Sequence, residues 1–122
     1  MKLFFAIILI ATSSALGFGQ EAELRFDKKV HKFPDTEEGI TLIHEFSFQN
    51  NGDAPLVFKD YKVTCPCTKV KFPSKPVLPG EKGTLEVTFD TKGKSYYQDR
   101  IIEIFSNSKK GTEKLRIKVF VK

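Results

Sequence analysis

Tryptophan is absent, methionine occurs only at position 1, and there are just two cysteines and two histidines. Without an internal methionine, a thioether copper site is excluded. Structural zinc usually takes four ligands, and neither His31 nor His44 stands at a recognised ligand spacing from the cysteines. A glycine-rich phosphate loop leading into a helix is missing, as is the His-Glu metalloprotease pattern. A nucleophilic cysteine needs a base beside it, and no nucleophile–base pairing is visible. The sequence therefore predicts no enzymatic activity and no cofactor. Helical periodicity, internal repeats and low-complexity linkers are also absent.

A concentrated basic stripe is another missing feature. The 20 Lys and Arg outnumber 15 Asp and Glu, for a net charge of +5, but they are scattered, and the longest basic cluster is Lys109-Lys110. A nucleic-acid surface would gather them on one element, so no nucleic-acid partner is expected. Asp35, Glu37 and Glu38 read as a solvated acidic loop, lacking the ordered spacing of a calcium loop.

What is present is room for one domain. The 122 residues are 40% hydrophobic and 29% charged, a globular balance. The chain begins Met1-Lys2, runs apolar from Leu3 to Ala11, turns small and polar over residues 12–15, and offers Gly17-Phe18-Gly19. That order predicts a secretory signal over residues 1–19, cut after Gly19 or, as the next choice, after Gly17. The apolar run falls well short of the ~20 residues a membrane span needs, and no other stretch could cross a membrane. No cysteine stands at the cut for lipid attachment. Residues 20–122 are expected to form one domain, soluble in the periplasm or secreted.

Alternation of apolar and polar residues dominates that domain. Ile40, Leu42, His44, Phe46 and Phe48 share one face of a strand, with Ile43 the apolar exception on the other. Leu85, Val87 and Phe89 alternate in a later strand, and Leu115, Ile117, Val119 and Val121 in the last. Arg100–Phe105, Leu56–Tyr61, Thr68–Phe72, Ala22–Phe26 and Lys29–Phe33 complete the strands. Turns are marked by Asn50-Asn51-Gly52-Asp53, Pro79-Gly80-Glu81-Lys82-Gly83, Thr91-Lys92-Gly93-Lys94 and Lys109-Lys110-Gly111-Thr112. The spacing predicts an all-β fold, an immunoglobulin-like antiparallel β-sandwich of about seven strands. Most phenylalanines, Phe46 and Phe89 among them, are expected in its core. His44 lies on an apolar face and reads as a core residue, whereas His31 reads as exposed.

Chemistry concentrates at Cys65-Pro66-Cys67-Thr68. In a straight strand, Cα atoms two residues apart lie at about 6.5–7 Å, the upper edge for a disulfide. Pro66 fixes its own φ and bends the segment or marks an edge, which shortens the gap. Four readings stay open: a local structural disulfide, a redox-exchanging pair, a two-thiolate site for Cu(I) or zinc, and free or intermolecularly paired thiols.

These residues resemble a bacterial exported family, domain of unknown function 1573. The resemblance runs from about Phe26 to Val121. It rests on Phe46-Ser47-Phe48-Gln49-Asn50-Asn51-Gly52, Pro55-Leu56, Cys65-Pro66-Cys67-Thr68, Pro79-Gly80-Glu81-Lys82-Gly83, Phe89-Asp90-Thr91-Lys92-Gly93-Lys94 and Ser106-Asn107. The family usually carries Gly between its two cysteines, where this chain has Pro66, and often another Gly where it has Ser95. The resemblance implies a sandwich shaped like sperm-protein and pilus-chaperone domains. It also implies motif positions at Pro66, Thr68, Pro79, Gly80, Glu81, Gly83, Asp90, Gly93 and Lys94. It supplies no reaction. The expectation is a non-enzymatic binding or structural module with a protein partner, docked along an edge strand near Cys65 and Cys67. The rival is a thiol-based redox or metal-handling protein working through that pair.

Overall fold

A computed structural model of the protein describes residues 20–122. The expected signal segment lies outside the described residues. Eight strands follow in chain order: β1 (Leu24–Phe26), β2 (Val30–Lys32), β3 (Thr41–Asn50), β4 (Phe58–Val63), β5 (Thr68–Lys71), β6 (Lys82–Asp90), β7 (Tyr96–Ser106) and β8 (Thr112–Val121). They build two four-stranded sheets, ordered β1-β3-β6-β5 and β2-β8-β7-β4. The fold is the expected immunoglobulin-like sandwich. One expected feature needs correction: β2 runs parallel to β8, so the second sheet is mixed rather than antiparallel throughout.

Alternation becomes packing across the two sheets. Phe46 and Phe48 of β3 and Leu85, Val87 and Phe89 of β6 face Ile102, Ile104, Leu115, Ile117, Val119 and Val121 of β7 and β8, all of them buried. Each such side chain contributes about 1.5–3 kcal/mol of transfer free energy. Phe26, Phe48, Phe58 and Phe72 continue the core as a chain of aromatic contacts with centroids 5.1–5.9 Å apart.

The departures have local causes. Ile40 precedes β3 and is exposed rather than facing inward. Phe120 takes the outward parity of β8 and is exposed. Leu56 is fully buried but does not begin β4; it makes an isolated bridge to Val77. β7 starts at Tyr96, earlier than alternation indicates, because Gln98 and Arg100 occupy its inward positions and mask the apolar pattern.

Among the described residues, each sheet ends in unpaired edges. β1 and β2 are three residues long, β5 is four and β4 is six. The segment from β4 to β5 crosses between sheets through Cys65-Pro66-Cys67, so the two longest edges meet at the cysteines.

Candidate functional site

Cys65 and Cys67 are joined by a disulfide, with Cα atoms 5.2 Å apart. The turn is held from both ends. Thr68 N–H donates to the Cys65 carbonyl at 3.1 Å, and Asp90 N–H donates to the Cys67 carbonyl at 2.9 Å. Cys67 N–H also donates to Cys65 Sγ at 3.3 Å. Pro66 is exposed at the tip and both cysteines are half-buried, with Cys67 packed against the core. Closing so short a loop restricts the unfolded chain little, about 1.5 kcal/mol, roughly half the effect of a 15-residue loop. Stability is thus a weak reason for this bridge.

The other motif positions have structural duties. Thr68 is buried beneath the turn, its Oγ1 3.8 Å from Cys67 Sγ. Pro79 is exposed in the β5–β6 connection. Gly80 takes φ +83° and donates its N–H to the Asn50 carbonyl. Glu81 Oε1 accepts Leu78 N–H at 2.9 Å, closing the same turn. Gly83 lies under the Phe48 ring, where a Cβ would come within 2.8 Å of Cζ. Asp90 Oδ1 accepts Lys92 N–H, Gly93 donates to Glu38 Oε2, and Lys94 N–H donates to the Thr91 carbonyl. These contacts shape turns. Pro79, Glu81 and Asp90 are exposed as well, but among the motif residues the disulfide alone carries a bond that thiol chemistry can make or break.

Three polar anchors escape a simple turn reading. Asn50 is fully buried, and its side chain bonds Glu23 N–H, Gly52 N–H and the Ala54 and Val77 carbonyls. Thr91 Oγ1 accepts Ile40 N–H at 2.7 Å. Asn107 accepts Val57 N–H and donates to the Pro55 carbonyl. Asn50 carried a readable signal: it extends the inward parity of Phe46 and Phe48, where a polar residue must find buried partners.

The sequence profile of proteins of unknown function, DUF1573, matches residues 24–121. The chain belongs to the DUF1573 family. Its fold is shared more widely. A Porphyromonas gingivalis protein of unknown function is 17% identical with a TM-score of 0.72, over 88% of this chain and 50% of that one. The ASH/PapD-like domain 7 of human CEP192 is 15% identical with a TM-score of 0.60, over 85% and 87% of the two chains. The YadV chaperone is 6% identical with a TM-score of 0.57, over 81% and 52%. At these identities the likeness is one of fold. No curated protein matches the chain at a significant level.

The DUF1573 domain also corrects the reading of its histidines. His31 of β2 is half-buried, not exposed. Its ring stacks on His44 of β3 at 3.5 Å with planes 8° apart, bridging the two sheets. Phe33 and Phe46 meet the pair edge-on. His44 is accordingly only half-buried, at the rim of the core. Parallel rings direct their lone pairs side by side rather than at one point, so the stack is not a chelating geometry. Burial holds both imidazoles below the ordinary 6.5, helped by Lys28 at His31 and by His31 at His44. The folded domain therefore binds fewer protons here than the unfolded chain. The resulting stabilisation is complete above pH 6.5 and is lost as pH falls through the lowered folded values. Urea midpoints are expected to drop from pH 7.5 towards about pH 5. A His31→Gln/His44→Gln variant is expected to lose most of that slope; an unchanged slope would refute the assignment.

Proposed function

We propose that the domain is an exported, non-enzymatic module that binds a protein partner along the sheet edges flanking the Cys65–Cys67 turn. The observation carrying this reading is that β4 and β5, the longest unpaired edges among the described residues, converge on that turn. An unpaired edge is a template for a strand from another chain. The bond from Asp90 N–H to the Cys67 carbonyl sets the ladder's alternation. Lys69 and Lys71 then bond β6, and the Val70 backbone points to the open side. That YadV, a chaperone, shares the fold is in keeping with protein binding.

The test is site-specific photocrosslinking in cells. A photoreactive residue at Lys62 or Lys69 is expected to give one shared discrete adduct, and one at Lys32 of β2 none. Val70→Pro removes the outward N–H while sparing the β6 bonds, and is expected to cut the adduct about tenfold. Equal labelling from Lys32, or a Val70→Pro adduct at full strength, would overturn the reading.

A further inference from the structure

The two sulfurs of the bridge are not equivalent. Cys67 is fixed: its carbonyl is held by Asp90 and its side chain packs on the core. Cys65 sits in the turn, outside both ladders, and its Sγ already accepts Cys67 N–H at 3.3 Å. A backbone N–H directed at sulfur favours the thiolate. A cation stands at the same end of the sandwich. Thr68 pairs with Phe89, and the Arg100 guanidinium lies 5.6 Å above the Phe89 ring. As shown above, the bridge adds little as a staple.

We propose that this disulfide exchanges with a dithiol of the bound protein, with Cys65 the sulfur attacked and Cys67 the first to leave. The proposal rests on the partner-binding edge above, which delivers a strand to the turn. A partner thiolate attacks Cys65 Sγ, and a partner–Cys65 bond forms as the Cys65–Cys67 bond breaks. Cys67 keeps the electron pair and takes a proton from water. The partner's second thiolate then attacks the partner sulfur of the mixed disulfide. Cys65 departs as a thiolate onto the Cys67 N–H and then takes a proton from water. In net terms, two electrons and two protons pass from the partner's dithiol to the bridge, which becomes a dithiol as the partner becomes a disulfide.

The probe is a synthetic extended peptide carrying two reduced cysteines, mixed with the oxidised wild-type protein, acid-quenched and mapped by mass spectrometry. A mixed disulfide on Cys65 in excess over Cys67 is expected. An adduct mainly on Cys67, or no exchange beyond that of a linear disulfide control peptide, would overturn the proposal. Single-cysteine variants supply a second readout. The thiol left in Cys67→Ser is expected to alkylate roughly threefold faster at neutral pH than the one left in Cys65→Ser. Equal rates, or the reverse order, would count against it. Photocrosslinking from Lys69 in the Cys65→Ser/Cys67→Ser protein separates the two readings. A retained adduct there, with no peptide exchange by the wild-type protein, removes only the redox step. Exchange with the peptide but no cellular adduct removes the binding edge.

Discussion

Phe89→Ala is expected to lower the unfolding free energy by about 3–5 kcal/mol in a urea melt. Phe89 is fully buried near the end of β6, an inner strand of the first sheet, opposite Leu42 on one side and Thr68 on the other. Truncation removes its transfer free energy and leaves a void that neighbours fixed in two ladders cannot fill. It also removes the ring beneath the Arg100 guanidinium. Phe46→Ala, at 1% exposure, is expected to behave alike. Phe120→Ala, on the outward face, is expected to cost under about 1 kcal/mol. A loss below 1 kcal/mol for both buried phenylalanines would refute the assignment of faces.

Asn50→Ala is expected to cost about 3–4 kcal/mol, out of proportion to its size. The side chain ties β1, the turn after β3, and the bridge between Leu56 and Val77 into one network. Its loss strands donors and acceptors where water cannot readily reach. The carboxylate variant sharpens the test. Asn50→Asp keeps the acceptor facing Glu23 and Gly52 but sets negative charge against the Ala54 and Val77 carbonyls. It is expected to cost at least as much as alanine at pH 7. Unfolding midpoints for the two variants, measured side by side, decide the matter.

The sandwich was legible because period-two patterning at residues such as Phe46, Phe48, Leu85 and Val119 translates directly into an inward face. The cysteine pair was legible as a candidate because both thiols fall in one short window interrupted by proline. What escaped were arrangements made by distant pairing. His31 looks exposed in sequence because its partner, His44, belongs to the other sheet. The parallel pairing of β2 with β8 has no local signature. Polar residues at inward positions, such as Gln98 and Arg100, hid the start of β7. The convergence of two free edges on the cysteine turn follows from strand order, which periodicity does not encode.

The parallel seam between β2 and β8 has a kinetic consequence. Val30 meets Arg116, so one of the earliest strands is completed by the last. A chain emerging amino-terminus first from a ribosome cannot close its second sheet until that final segment is free. Closure over so long a loop belongs to the slow class of small domains, on the order of milliseconds to seconds. During that interval β7 lacks its β8 neighbour, and its flank stays an open template for pairing.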